Sequence, residues 1–378
     1  LHIWEMAVNF DFSADEKIIR DQVSRYLQDN CDSTVVRSTL EGGPSFSKEV
    51  WQGLTEMGLS GASIPEKFGG VEAGYLTLCL VAEQLGASLA PVPFSSSIYL
   101  AAEALQLFGT QDQKEHWLPR LATGEIIGTL ASVESTSEPT PESINTTYQN
   151  GTLSGTKLIV PDGNIANMAI VLAVTEAGAG LFITELEDAN TTRQEIQTID
   201  PSRDSATISF SKSKAEPLGE SSGEGWQQLS AILDRAAILM AFEQIGGAQK
   251  ALDMAVNYSK ERFAFGRPIG SFQALKHMMA DMYVALRLAE SNCYYAAWAL
   301  STNSPDLPLA AATARVSATQ AFQLCARDNI QVHGGMGFTW EFDCHLYYRR
   351  SNYLALALGG LSVWEEKLVS NLPTRSAA

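Results

Sequence analysis

Apolar side chains recur three and four positions apart from Phe12 to about residue 125, a spacing that predicts amphipathic helices. Between Ser13 and Glu16 a hydroxyl residue is followed three positions later by a glutamate, the pattern of a helix N-terminal capping box. Gly69-Gly70 and Pro91-Val-Pro93 interrupt the spacing and mark breaks between helices. These features predict a first domain built of α-helices.

The pattern changes between about residues 128 and 217, where Thr, Ser, Val and Ile dominate. Apolar and polar residues alternate from Ala206 to Phe210, as expected of a strand with one buried face. Continuous apolar runs at Met168 to Val174 and Leu181 to Ile183 are typical of strands buried on both faces. This middle segment is therefore predicted to be a β domain.

Helical spacing returns after the Gly-rich segment Gly219 to Gly225. Helical blocks are predicted at about residues 226–260, 271–302, 308–332 and 351–370. The predicted class is α+β, with the order α, β, α along the chain. The predicted domains are an N-terminal helical domain (8–126), a middle β domain (127–222) and a C-terminal helical domain (223–372).

The composition is that of a folded globular protein, since 45% of the 378 residues are hydrophobic and 18% are charged. Asp and Glu (43) outnumber Lys and Arg (26), and a formal net charge of −17 repels nucleic acid and anionic lipid. The sequence shows no apolar run of membrane-spanning length and no signal peptide. We therefore expect a cytoplasmic protein without nucleic acid or membrane partners.

The five cysteines are odd in number and far apart, which argues against a disulfide framework. They do not form a CxxC pair, and none has the spacing to histidine of a zinc site. We predict reduced, mostly buried thiols and no metal site. The residues are Cys31, Cys79, Cys293, Cys325 and Cys344.

The stretch from Glu261 to His277 contains a predicted helix end, a turn with Gly and Pro, and a helix start near Ser271. Arg262 can pair with phosphate oxygens, Phe265 can cover an aromatic ring, and Gln273 can donate and accept hydrogen bonds. Taken alone, an Arg and a Phe at a helix break are more often a helix cap and a core residue. The stretch is thus a candidate anion-binding turn with a structural alternative.

The stretch from Gln331 to Phe342 places three glycines, including Gly334 and Gly335, just past a predicted helix end. Glycine allows backbone to approach a ligand without interference from Cβ. The same residues also fit a simple helix-ending turn, with His333 as a hydrogen-bonded surface histidine and Trp340 in the core. Rossmann and P-loop nucleotide motifs, the hydrolase nucleophile elbow and the HExxH zinc motif are all absent from the sequence.

Together, the order, spacing and α, β, α setting of these two stretches resemble the acyl-CoA dehydrogenase family over nearly the whole chain. The most specific matching motifs are Arg262-x-x-Phe265-Gly-x-Pro268-Ile-x-x-Phe272-Gln273 and Gln331-x-x-Gly334-Gly-x-Gly337-Phe. Further matches are Ile64 to Gly70, Gly109 to Lys114, Trp117 to Leu121 and Leu153 to Lys157.

The resemblance implies an N-terminal helical domain, a middle β-barrel or sandwich and a C-terminal four-helix bundle. It also implies an FAD enzyme that desaturates an acyl-CoA thioester, with a carboxylate taking the α proton and flavin taking the β hydride. Electrons then normally pass to electron-transferring flavoprotein. In that family, FAD lies across a subunit interface, with its flavin mainly in the neighbouring subunit. Its ADP half is held by the residues that match Arg262, Phe265, Gln273, Gln331, Gly334 and Gly335.

The catalytic glutamate of that family has no counterpart here. The family places it early in the first long C-terminal helix or before a glycine near the chain end, and these positions hold Ala236 and Leu358. Neither side chain can accept a proton. Glu243 lies about 10.5 Å beyond Ala236 on a similar helix face, and Asp234 is out of phase with that face. We interpret both acids as structural residues and as weak candidates for the base.

The middle domain also departs from the family pattern. Glu134 to Glu142 stands where the family has a glycine-containing loop against FAD and substrate. Ile159 and Pro161 stand where a Trp and a Thr usually contact the flavin ring, and proline offers neither hydroxyl nor N–H. The resemblance thus retains the residues for the ADP half and loses those for the flavin ring and the base.

This division resembles the accessory subunits of α2β2 acyl-CoA dehydrogenases of bacterial steroid side-chain degradation, in which the other chain type carries the glutamate. We predict a subunit that lacks its own base and completes the FAD site of a homologous catalytic subunit. One alternative is a self-sufficient homotetrameric dehydrogenase with Glu243 or Asp234 as the base. Another is a non-redox structural or acyl-CoA-binding protein of the same fold.

Overall fold

The structure is a computed structural model that describes residues 12–135, 140–220 and 223–372. The predicted capping box is present, because the Ser13 hydroxyl accepts from the Glu16 N–H at 3.2 Å and the Glu16 carboxylate accepts from the Ser13 N–H at 2.6 Å. Residues 8–11 of the predicted first domain lie outside the described residues. The N-terminal helices are α1 (Ala14–Asn30), α2 (Ser33–Leu40), α3 (Lys48–Glu56), α4 (Gly74–Ala87), a π-helix (Ser95–Ala102), α5 (Glu103–Phe108) and α6 (Gln111–Ala122).

Within the described residues, the middle of the chain forms a mixed sheet of eight strands. The strands are β1 (Gly128–Ala131), β2 (Thr147–Gln149), β3 (Thr152–Pro161), β4 (Met168–Thr175), β5 (Gly178–Glu185), β6 (Thr191–Glu195), β7 (Ser205–Lys214) and β8 (Glu216–Pro217). Their order in the sheet is β6-β7-β3-β2-β4-β5-β8, and β1 pairs parallel to β4. The predicted strand segments lie within β4, β5 and β7, so those predictions are confirmed.

The C-terminal region is helical, and the predicted α+β class is confirmed. The first three predicted blocks correspond to single helices, but the fourth was wrong, because it covers the end of one helix, a break and the whole of the next helix. Leu358 (φ +63°) and Gly359 (φ +99°) have left-handed backbone, which no α-helix continues through. The helices are α7 (Gly225–Glu261), α8 (Gln273–Ser301), α9 (Leu307–His333), α10 (Cys344–Leu356) and α11 (Leu361–Ser370).

Close backbone contact between α4 and α7 joins the two helical regions. A Cβ on Gly86 would lie 1.8 Å from the Glu243 carbonyl oxygen, and a Cβ on Gly246 would lie 1.9 Å from that of Glu83. Only glycine therefore fits at these two positions. The contact places residue 243 of α7 deep in the interior, where its side chain is 1% exposed.

The buried side chains include all five cysteines, which are free thiols, so their predicted burial is confirmed. Within residues 12–135, 140–220 and 223–372, no helix has the length and apolar character to cross a bilayer. The same described ranges contain no cluster of three or more His, Cys, Asp or Glu side chains placed to hold a metal ion.

Candidate functional site

The two stretches singled out in the sequence lie side by side at one end of the C-terminal helical domain. Tyr258, in the last turn of α7, stacks on His333 at the end of α9, with ring centroids 4.0 Å apart. The turn after α7 and the glycines after α9 are therefore neighbours. His333 is hydrogen-bonded as predicted, with Nδ1 2.8 Å from the Asn329 carbonyl oxygen, but its predicted surface position was wrong because only 6% of it is exposed.

The turn between α7 and α8 is a small hairpin in which Phe263–Ala264 and Arg267–Pro268 pair as antiparallel strands. The Ile269 N–H donates to the Arg262 carbonyl oxygen at 2.8 Å, which closes the hairpin. Phe265 lies at its tip with φ +55° and is 94% exposed. The alternative interpretation of Phe265 as a core residue was therefore wrong.

All six residues predicted to bind the ADP half of FAD present exposed atoms on this end of the domain. Arg262 takes part in no ion pair among the described residues, so its guanidinium is available to an anion. A Cβ added to Gly334 or Gly335 would meet no atom within 4 Å, so the space above these backbones is open to a ligand. After that prediction, we name the set the ADP-binding surface, and it comprises Arg262, Phe265, Gln273, Gln331, Gly334 and Gly335.

We expect Phe265→Ala to change the free energy of unfolding of the isolated chain by less than about 1 kcal/mol, because the exposed ring has little buried area to lose. Phe272→Ala is the matched control, since that ring packs partly buried against the core and its loss is expected to cost about 2 kcal/mol. Urea unfolding of both variants gives the comparison. An equal loss in the two variants would show that Phe265 serves packing rather than a ligand.

Trp340, predicted to lie in the core, is 48% exposed, so that prediction was wrong. Its ring stacks on His345 with centroids 4.4 Å apart, and the Arg37 guanidinium lies 5.4 Å from the ring centroid. The indole N–H donates to Glu41 at 2.7 Å. This arrangement fixes the segment between the glycines and α10 on the outside of the N-terminal helices.

The two positions expected for a catalytic glutamate are apolar and packed. Ala236 is fully buried in α7. Leu358 is half-buried in the connection between α10 and α11, where its carbonyl oxygen accepts from the Trp364 indole at 3.1 Å. Ala237 and Trp364 belong to the same small apolar cluster as Leu358. Both positions therefore serve packing in this chain.

The two weak candidates for the base are held in ion pairs. The Asp234 carboxylate lies 2.6 Å from Lys367 Nζ on α11, and burial raises the pKa of Asp234. Glu243 is 1% exposed and contacts two guanidinium groups, those of Arg203 and Arg350. Glu243 thus contacts neighbours and not solvent.

Glu243 belongs to a buried charge cluster whose members are not adjacent in the sequence. Arg203, between β6 and β7, pairs with Glu243 and donates to the Val92 carbonyl oxygen at 3.0 Å. Arg350 of α10 donates to Asp200 at 2.5 Å. Because these bonds link the N-terminal helices, the sheet domain and the C-terminal helices, we name the cluster the three-domain junction. It comprises Asp162, Asp200, Arg203, Glu243 and Arg350, each 5% exposed or less.

The carboxylates of the junction have different electrostatic surroundings. Burial raises the pKa of Asp162 to about 7, although its carboxylate accepts from the Ser96 hydroxyl at 2.5 Å. Burial alone would also raise the pKa of Asp200, but the nearby Arg350 and Ser202 hold it below its usual value. The junction thus concentrates three acids and two arginines away from solvent.

One sequence signal pointed to this cluster. Glu243 stands within the apolar run from Ala236 to Ala248, and an acid in a buried helix face needs a cationic partner. The partners could not be assigned, because Arg203 and Arg350 are 40 and 107 positions away in the chain.

A further buried acid, Glu103, pairs with Arg235, the residue that precedes Ala236. The Arg235 guanidinium lies 3.4 Å from Glu103, donates to Asn303 at 2.5 Å and is 5.6 Å from the centroid of the Tyr75 ring. The Tyr75 hydroxyl lies 2.8 Å from the Glu103 carboxylate. Burial raises the pKa of Glu103. Arg235 is therefore already engaged by neighbours within this chain.

The two positions of the sheet domain that are predicted to face the flavin ring, residues 159 and 161, carry no hydrogen-bonding side chain. Ile159 is 49% exposed with φ +51°, at a register shift between β3 and β7. Pro161 offers only its carbonyl oxygen, which accepts from the Thr129 hydroxyl at 2.6 Å.

Lys157 Nζ lies 2.5 Å from Glu134, and despite partial burial this contact lowers the pKa of Glu134 to about 2. Residues 136–139 of the predicted loop lie outside the described residues.

The fold, together with the family models that match its two helical domains, defines a protein of the acyl-CoA dehydrogenase class. Residues 13–125 match the family model "Acyl-CoA dehydrogenase, N-terminal domain", and residues 223–364 match "Acyl-CoA dehydrogenase, C-terminal domain". The chain belongs to the acyl-CoA dehydrogenase family, whose cofactor is FAD.

Among its relatives, the acyl-CoA dehydrogenase IpdE2 of Mycobacterium tuberculosis is 33% identical over 89% of this chain and 91% of its own length. A chain of the ChsE4-ChsE5 complex from Mycobacterium tuberculosis superposes with a TM-score of 0.88 at 25% identity, covering 96% of this chain and 98% of that one. Butyryl-CoA dehydrogenase from Megasphaera elsdenii has a TM-score of 0.89 at 24% identity, covering 96% and 99%, a likeness that shows the fold alone.

Proposed function

We propose that this chain is a subunit of an FAD-dependent acyl-CoA dehydrogenase that completes an FAD site across a subunit interface and has no catalytic base of its own. One contrast carries the proposal. The ADP-binding surface is exposed and open, whereas the base positions hold the buried Ala236 and the packed Leu358. Glu103 and Glu243, buried acids in or near α7, are each held by guanidinium groups, so the carboxylate within about 3 Å of the α proton would come from another chain.

The chemistry of the surface suits the ADP half of FAD. Arg262 pairs with the pyrophosphate, and backbone at Gly334 and Gly335 allows the phosphates to approach closely. Phe265 supplies an apolar wall for the adenine end, and the amides of Gln273 and Gln331 donate and accept hydrogen bonds. Bound FAD supplies the acceptor for the hydride, and this chain contributes binding and orientation.

The flavin ring does not fit this chain's own sheet domain in the same way. Ile159 and Pro161 present no donor, and the ends of the ring need hydrogen bonds when they are buried. An FAD whose ADP half is held by this surface would therefore have its flavin ring in the partner. A homologous catalytic subunit, an acyl-CoA and electron-transferring flavoprotein complete the proposed system.

Names of relatives support a mixed assembly and a bulky substrate. One superposed structure is described as a complex of two chains, ChsE4 and ChsE5, and another, 26% identical with a TM-score of 0.85, as the Tcur3481-Tcur3483 steroid acyl-CoA dehydrogenase. We infer an α2β2 assembly acting on a ring-bearing thioester. The alternative of a self-sufficient homotetramer requires Glu243 or Asp234 as base, yet the first contacts two guanidinium groups and the second an ammonium.

The test is turnover by this chain alone and after co-expression with a homologous acyl-CoA dehydrogenase chain that carries the catalytic glutamate. Loss of a general base removes at least about 100-fold in rate, so the isolated chain is expected to reach about 1% of the mixed assembly's rate or less. Asp234→Asn in the mixed assembly is the matched control and is expected to change the rate less than about twofold. Rapid turnover by a homotetramer of this chain contradicts the proposal.

A further inference from the structure

The three-domain junction lies between the two places at which the family's chemistry would occur in this chain. Glu243 is two helical turns beyond Ala236 on a similar face of α7. Asp162 directly follows Pro161, at the end of the strand expected to face the flavin ring. Its carboxylate contacts Ser96 of the π-helix. The junction thus occupies the space enclosed by α7, the end of β3 and the π-helix.

Protein side chains fill this space. Arg203 reaches from the β6–β7 connection to Glu243, and its other guanidinium nitrogen donates to the Ser95 hydroxyl at 3.3 Å as well as to backbone. Arg350 closes the far side through Asp200 and through the Leu89 carbonyl oxygen at 3.1 Å. Two cavities of about 480 and 310 Å³ lie elsewhere, and none of the five junction residues lines either one.

The junction is also polar, so placing a hydrocarbon chain in it is unfavourable. The Tyr99 hydroxyl and Arg203 Nε are buried and have no hydrogen-bond partner within the described part of the chain. An acyl chain entering here would leave these donors facing hydrocarbon, and it would have to displace Arg203 from Glu243. Separating a buried ion pair leaves uncompensated charges and is strongly unfavourable.

We propose that the Arg203–Glu243 ion pair, supported by Arg350 and Asp200, seals this chain's own acyl cavity, so that the mixed assembly binds the acyl group of its substrate only on the partner side. The inference rests on the proposed function and extends it, because it assigns specific residues to the exclusion of a second substrate. Without the glutamate this chain cannot abstract the α proton, and with the seal it cannot bind the acyl group.

The experiment compares the affinities of the purified chain for octanoyl-CoA and for free CoA by isothermal titration calorimetry. For the wild-type chain, octanoyl-CoA is expected to bind no more than about threefold tighter than CoA, since the acyl group gains no pocket. Arg203→Ala/Glu243→Ala removes both charges together, and its preference for octanoyl-CoA is expected to rise at least about tenfold, because burying several methylenes contributes more than that factor. Arg193→Ala, which removes a guanidinium bonded to backbone of the sheet domain, is the control and keeps the wild-type ratio.

A tenfold preference for octanoyl-CoA in the wild-type chain overturns the seal, whether or not any variant folds. A folded double variant that gains no preference also overturns it. Arg203→Met/Glu243→Ala retains more of the buried volume and replaces the double alanine variant if that one does not fold. The inference and the proposed function fail separately. If the wild-type chain prefers octanoyl-CoA but binds no FAD and shows no turnover, only the seal is contradicted. If the isolated chain binds FAD and turns over substrate, the division between subunits is contradicted.

Discussion

Glu243→Ala is expected to lower the free energy of unfolding by about 3–5 kcal/mol, because the substitution leaves Arg203 and Arg350 buried without their shared carboxylate. Glu243 is 1% exposed, and these arginines are 5% and 1% exposed, so solvent cannot stabilise the unpaired charges. The loss is larger than the typical effect of a point substitution, since it also weakens the contact between the two helical domains and the sheet domain.

Urea unfolding, followed by circular dichroism, measures the effect, and Glu365→Ala on the exposed face of α11 is the control, with an expected change below about 0.5 kcal/mol. Arg203→Ala/Glu243→Ala should cost less than the sum of the two single substitutions, because each single variant leaves a charge that the double variant removes. Additive losses, or a Glu243→Ala variant as stable as the control, would show that the junction charges are not coupled.

Arg262→Ala is expected to weaken FAD binding to the mixed assembly by about 10- to 100-fold. A charge-assisted hydrogen bond to phosphate contributes about 1.5–3 kcal/mol. The exposed Arg262 guanidinium has no ion-pair partner among the described residues, so its charge is available to the phosphate. The same substitution should leave the unfolding of the isolated chain nearly unchanged, because the side chain is exposed.

Equilibrium dialysis of the apo assembly against FAD measures this affinity. Arg267→Ala is the matched control in the same hairpin, since its guanidinium stacks on Phe272 with 4.1 Å to the ring centroid, and we expect less than about a threefold effect. Equal losses in the two variants would point to damage of the hairpin, and an unchanged affinity in Arg262→Ala would remove Arg262 from the FAD site.

Local patterns predicted the elements well where one residue type dictates the backbone. The capping box at Ser13 and the helix that ends before Gly334 follow from short-range hydrogen bonding and glycine geometry, and both are present. The block from 351 to 370 was mistaken, because apolar spacing continues through Leu358 and Gly359 although the backbone there is left-handed. Periodicity alone does not show such a break.

The residues proposed to hold the ADP half of FAD lie in two short motifs, so the sequence alone could suggest them, and the structure adds that they are exposed. The three-domain junction could not be predicted, since Arg203, Glu243 and Arg350 are far apart in sequence and meet only through tertiary packing. The same limit explains the wrong prediction for Trp340. Its aromatic character suggested the core, but two arginines and a histidine ring contact it at the surface.

The division of labour between two chains is tested most directly by counting flavin. The assembly purified after co-expression with the homologous chain should contain one FAD for every two polypeptides, measured by flavin absorbance against quantitative amino-acid analysis. This chain purified alone should contain almost none. One FAD per polypeptide, bound by this chain in the absence of any partner, would contradict the division.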